Sequence, residues 1–155
     1  MVGAGTIGSE LLNIIRQENL KGIRIRAVST SKKMLLGDNA INPVTAQDDL
    51  MNSPVPFVLD EFLQYANTGS NQRIFVDCTA SETIAGQYAD ILDNGFSVVT
   101  ANKIANTLGY DYYRAMREIA TERNIHFRYE TNVGAGLPII CLLYTSPSPR
   151  DATLS

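Results

Sequence analysis

After a glycine-rich opening, apolar residues return at Ile7, Leu11, Ile14 and Ile15, the spacing of one helix face. That pattern predicts a helix over Thr6 to Glu18. The next stretch, GIRIRAVST, alternates through Ile23, Ile25 and Ala27 and reads as a strand. Between Ser31 and Pro56 no period survives, because Gly37, Asn39, Asn42, Pro43, Pro54 and Pro56 interrupt it. LDEFLQYAN regains helical spacing, with Asp60 placed to cap it. RIFVDCTAS is an apolar run ending in small polar residues, which suits a buried parallel strand feeding a loop. Ser81 can cap a further helix over ETIAGQYADILDN, where Ile84, Tyr88, Ile91 and Leu92 share a face. FSVVTANK repeats the order of strand then polar loop. Tyr112, Met116, Ile119 and Ala120 mark another helix, and IHFRYET alternates through Ile125, Phe127 and Tyr129.

Alternation of this kind predicts an α/β fold: a Rossmann-like, doubly wound parallel sheet. Gly3, Gly5 and Gly8 then fall where the first strand turns into the first helix. Only Met1 and Val2 precede that turn, so the sheet is expected to be truncated at its first strand. From Cys141 onward, CLLYTSPSPRDATLS has no apolar period, and Pro147 and Pro149 forbid a continued helix. The expected division is a partial NAD(P)-binding domain over 1–140 and a tail without a folding role over 141–155.

Composition mainly excludes. A length of 155 residues suits one domain with a real core. A net charge of −3 with scattered basic residues offers no footprint for nucleic acid or an anionic membrane. No apolar run reaches membrane-spanning length, and no leader pattern opens the chain, so a cytoplasmic location is expected. Cys78 and Cys141 are too few and too separated for a disulfide framework or a zinc site, and His126 reads as structural. Cys78 reads as a small buried thiol with nothing beside it to activate it.

The glycine turn carries the first chemistry. Gly3 permits a tight bend, Gly5 lets backbone approach a pyrophosphate, and Gly8 allows close packing of the helix. The helix behind it offers unpaired N–H groups to phosphate. An acid about twenty residues past the last glycine would mark NAD. Here no Asp or Glu lies between Ile23 and Leu36; Ser29, Ser31, Lys32 and Lys33 suit the 2′-phosphate of NADP better, against a plain solvated loop. Thr79, Ser81 and Thr100 follow strands and could meet ribose or carboxamide. Lys103 could anchor a carboxylate or polarise a carbonyl, against an ordinary surface lysine. ETNVGAGLP could bind a monovalent cation through its oxygens, or be a tight strand-to-helix connection.

Taken together, VGAGTIGSELL, FVDCTAS, VVTANKIAN, DYYRAMREIA and YETNVGAGLPII resemble the nucleotide-binding domain of homoserine dehydrogenase, over roughly Val2 to Ile140. The wording is closest to the type fused to an upstream aspartokinase. The resemblance implies NAD(P)H-dependent interconversion of aspartate 4-semialdehyde and homoserine, in threonine, methionine and isoleucine biosynthesis, by a homo-oligomer. It implies that Gly3, Gly5, Thr6, Ile7 and Gly8 hold the pyrophosphate, with Thr79 and Ser81 near the nicotinamide ribose. Lys103 would stand by the nicotinamide and move a proton to the substrate oxygen. Glu130, Val133, Ala135 and Leu137 match positions that hold a structural sodium ion. The family's substrate domain has no counterpart here, so this chain alone is expected to bind cofactor weakly and to turn over negligibly. The tail resembles translated sequencing-adapter read-through joined to a gene fragment. Two other readings are another Rossmann reductase of amino-acid metabolism, and a nucleotide-binding domain without chemistry.

Overall fold

The computed structural model describes residues 1–18, 20, 22–67 and 72–129. Helix α1 spans Thr6–Gln17 and turns Gly8 and Leu12 inward. Strand β1 (Ala27–Ser29) pairs antiparallel with β2 (Met34–Leu36). After α2 (Ala46–Asn52) and α3 (Leu59–Ala66) comes β3 (Ile74–Asp77). It is followed by α4 (Glu82–Ala85), α5 (Tyr88–Asp93) and β4 (Ser97–Thr100). A 3-10 turn (Ile104–Thr107), α6 (Tyr110–Glu122) and β5 (Phe127–Arg128) complete the described chain.

Strands β3, β4 and β5 run parallel in that spatial order. Val2 bridges both Ser29 and Asp77 in parallel sense, so it lies between β1 and β3 and joins the two sheets. The lateral order is therefore β2, β1, Val2, β3, β4, β5. This is the Rossmann-like arrangement expected, with an antiparallel strand at one edge.

Alternation along the strands divides the core. Val28 packs with Leu12, Ile41, Ala46 and Leu50 on the side of α1 and α2. Ala27, Phe75, Val98 and Phe127 face the other way, onto Phe62 of α3, Tyr88 and Ile91 of α5, and Met116 of α6. Phe62 meets Phe57 and Phe75 edge-on, with ring centres 5.8 and 6.3 Å away, a geometry favoured by aromatic quadrupoles.

Several local expectations change. The strand forecast from Ile23 begins only at Ala27, and Ile23 is 49% exposed. The stretch without a period holds both β2 and α2, each too short to show one. Helix α3 starts from an extended Val58 rather than Asp60, because Leu59 and Leu63 pack with Phe62 against the core. Asp60 and Glu61 instead occupy the first turn, where carboxylates favour the helix dipole.

The helix expected over ETIAGQYADILDN is two helices. In a continuous helix the Ala89 N–H would reach the Ala85 carbonyl. The Tyr112 hydroxyl stands between them, accepting from Ala89 N at 3.4 Å and donating to Ala85 O at 2.8 Å. A side chain inserted into the ladder is a recognised cause of a break. Burial pushes the Tyr112 phenol above its usual range.

Candidate functional site

Parallel pairing sends the turn after Val2, the loop after β1, the loop after β3 and the loop after β4 to one rim of the sheet. The turn is held against β1 by Gly3 N and Ala4 N, which donate to Ser29 O at 2.9 and 3.1 Å. Gly3 has φ +88, and a Cβ there would lie 2.7 Å from Thr79 Cγ2 and 2.9 Å from the Cys78 carbonyl carbon. A Cβ on Gly8 would lie 2.2 Å from Gly3 O. Both positions are closed to a side chain, one by the neighbouring loop and one by the turn itself.

Gly5 differs: nothing lies within 4 Å of a Cβ built there. It is the N-cap of α1, and no side chain caps the helix. Thr6 and Ile7 are exposed and the first turn carries no acid. Every other described α-helix has an acid in its first turn. The amino end of α1 thus presents uncompensated N–H groups and positive dipole to open space, a ready anion site.

The two loops opposite are braced by Asp77, which is fully buried. Its Oδ1 accepts from Thr79 N at 2.7 Å, and its Oδ2 accepts from the Tyr88 hydroxyl and from Asn102 Nδ2 at 3.1 Å. Tyr88 also shares a hydrogen bond of 2.6 Å with Thr100 Oγ1. Burial, then Asp77, raises the Tyr88 phenol far above its ordinary value, so it stays a neutral donor. Ser81 Oγ caps α4 by accepting from Ile84 N at 3.3 Å, and Thr79 Oγ1 accepts from Ser81 N at 3.1 Å.

The rim therefore brings Gly3, Gly5, Thr6, Ile7 and Gly8 together with Thr79 and Ser81. Lys103 joins them: it directly follows Asn102, whose Nδ2 reaches Ser81 O at 2.9 Å. Its side chain is exposed and has no partner among the described residues. Two expectations are corrected. Thr100 is 1% exposed, with its hydroxyl committed to Tyr88 and to the Asn102 amide, so it holds the loop rather than facing a ligand. Ser29 is fully buried, and its hydroxyl has no partner among the described residues.

Lys33 also turns from the rim, its amine donating to Met51 O at 2.8 Å, while Ser31 and Lys32 stay exposed. Cys78 is half-buried, and burial raises its thiol. His126 lies at the opposite rim, where its amide donates to Ser97 Oγ at 3.1 Å. Glu130, Val133, Ala135 and Leu137 lie outside the described residues, as does the 141–155 tail. Sequence reasoning missed Asp77, Tyr88 and Asn102. A carboxylate closing the apolar run IFVD was the available signal, since a buried acid needs partners.

A Rossmann-like sheet with an uncapped helix under a glycine turn defines a dinucleotide-binding domain. The sequence model of the homoserine dehydrogenase NAD-binding domain matches residues 3–130, and the chain belongs to that family. It is 40% identical over 147 residues to the bifunctional aspartokinase/homoserine dehydrogenase of Haemophilus influenzae, a match covering 90% of this chain and 18% of the relative. The chain thus spans under a fifth of the curated relatives' length. The crystal structure of homoserine dehydrogenase from Thermoplasma acidophilum superposes with a TM-score of 0.72 at 25% identity, over 94% of this chain and 46% of that one. A hyperthermophilic archaeal homoserine dehydrogenase in complex with NADPH gives 0.69 at 26% identity, over 92% and 46%.

Gly8→Ala should force the turn and α1 apart, at about 1–3 kcal/mol of unfolding free energy. Urea titration checks this, and a loss below about 0.5 kcal/mol would show that the contact yields.

Proposed function

We infer that the chain is the nucleotide-binding part of an enzyme interconverting aspartate 4-semialdehyde and homoserine, with NADPH preferred over NADH. The observation that carries this reading is the bare, acid-free N-terminus of α1 beneath an open Gly5, at the rim that also bears Lys103. Those features fit a dinucleotide: the amides after Gly5 would hold the pyrophosphate, and Thr79 and Ser81 would flank the half nearer β4. Preference for the 2′-phosphate rests on the absence of an acid after β1 and on the exposed Ser31 and Lys32. The archaeal neighbour's NADPH complex supports that preference.

When bound, the nicotinamide supplies the hydride. The chain's own contribution is placement and charge. Lys103 would bring positive potential and a proton to the aldehyde oxygen as it becomes an alkoxide. Its exposure lets it meet a substrate presented from outside this domain. The same reading puts the enzyme in threonine, methionine and isoleucine biosynthesis, in the cytoplasm and as a homo-oligomer. An aspartokinase upstream follows the architecture named for the Haemophilus relative.

Two variants separate binding from chemistry. Gly5→Ala should leave stability within about 0.5 kcal/mol, since no contact is made, yet weaken NADPH binding at least tenfold by filling the approach to the amides. Unchanged affinity in a fluorescence titration would remove the turn from the site. In the full-length enzyme carrying this domain, Lys103→Ala should lower kcat by about 10²–10⁴ while sparing NADPH affinity. Retained kcat would leave Lys103 as a surface lysine.

A further inference from the structure

Like Asp77, Asn102 makes three side-chain hydrogen bonds at the rim. It is 1% exposed. Its Nδ2 donates to Asp77 Oδ2 at 3.1 Å and to Ser81 O at 2.9 Å, while Oδ1 accepts from Ile104 N at 3.0 Å. Its own amide donates to Thr100 Oγ1 at 2.8 Å. Both amide hydrogens and the amide oxygen are therefore in use.

These bonds have a direction. Ser81 belongs to the loop after β3, Ile104 to the turn after β4, and Asp77 to the sheet itself. Asn102 straps the second loop to the first and both to the sheet. Lys103 sits between two anchored amides, those of Asn102 and Ile104, while its own side chain has no partner among the described residues. The backbone under Lys103 is thus set by Asn102. Apolar side chains would close this part of the core at lower desolvation cost, since buried polar groups are expensive unless every partner is present. What hydrogen bonds add is a fixed register between two loops.

We propose that Asn102, gripped by Asp77 and Ser81, is a positioning residue that fixes both loops of the nicotinamide half of the site: the one bearing Thr79 and Ser81, on which nucleotide affinity depends, and the one bearing Lys103. The proposal rests on the nucleotide reading above for its functional consequence, and on the hydrogen-bond geometry for the strap itself. The adenosine half, over β1 and Ser31–Lys32, lies beyond the strap's reach.

The substitution Asn102→Asp keeps the acceptor for Ile104 N–H but sets an oxygen against Asp77 and Ser81 O. It is made in the 155-residue chain, with hydrogen exchange and nucleotide binding as the two readouts. The Ile104 amide is expected to exchange at least tenfold faster, with the ladder amides of Ser97 and Val98 unchanged. NADPH should bind at least tenfold more weakly, while the same nucleotide lacking its nicotinamide ring should bind as before. Adding Asp77→Asn restores a donor facing an acceptor at position 77 but leaves Ser81 O without its donor, and should recover part of the slow exchange and of the NADPH affinity. Asn102→Ala, which brings no new charge, supplies the exchange readout where the aspartate variant fails to fold. Unchanged Ile104 exchange, or equal losses for both nucleotides, would overturn the proposal. Failure of the unaltered chain to bind either nucleotide would instead overturn the nucleotide reading, and the exchange arm would still decide the strap.

Discussion

One residue, Val2, makes a single sheet out of two. Its N–H donates to Val76 O at 2.8 Å, and its carbonyl accepts from Cys78 N at 3.0 Å. On the other side Ser29 N reaches Met1 O at 3.0 Å and Gly3 N reaches Ser29 O at 2.9 Å. Because both pairings are parallel, the chain leaves Val2 at the same rim where β1 and β3 end. The turn must then rise between two loops already in place, and the space left is too small for a side chain at Gly3. Register in the sheet thus dictates glycine in the turn, and the turn dictates where the amino end of α1 points. The position of the candidate binding rim follows from a backbone ladder, before any side chain is considered.

The parts legible in the sequence are those whose cause is local. The 3.6-residue spacing of Ile7, Leu11, Ile14 and Ile15 gives the extent of α1 to within one residue but not its inward face, since Gly8 and Leu12 are buried while Ile7 and Ile14 are exposed. Ser81 was readable as a cap because its partner, Ile84 N, is local. The break between α4 and α5 was not, since it depends on Tyr112, more than twenty positions away. Thr100 looked like a ligand contact from its place after a strand, but its partner Tyr88 comes from a different helix. A hydroxyl after a strand has the same sequence signature whether it faces a nucleotide or a buried phenol.

The Asp77 cluster gives the rim a rigidity that the glycine turn cannot supply. Thr79, Tyr88, Thr100 and Asn102 come from both loops, a strand end and α5, and each bonds within the cluster. Replacing Asp77 by asparagine alone would leave a donor against a donor in either amide orientation. Thr79 N–H faces one oxygen and Asn102 Nδ2 the other. The carboxyl group is therefore specified by the pattern of its neighbours, not merely tolerated at the end of an apolar strand.

Net charge is a poor guide to what this rim can bind. The chain is acidic overall, at −3, which taken alone argues against a polyanionic ligand. Distribution reverses the argument. First-turn acids guard α2 through α6, while α1 has none. Asp77, although at the rim, turns both oxygens inward onto donors. Lys103 and Lys32, by contrast, stay exposed at loop ends of the same sheet. Over the length of a pyrophosphate, a few ångströms from the helix end, these near charges and dipoles outweigh carboxylates screened by solvent elsewhere on the surface. An acidic domain can therefore present a site for an anionic nucleotide without any basic patch for composition to reveal.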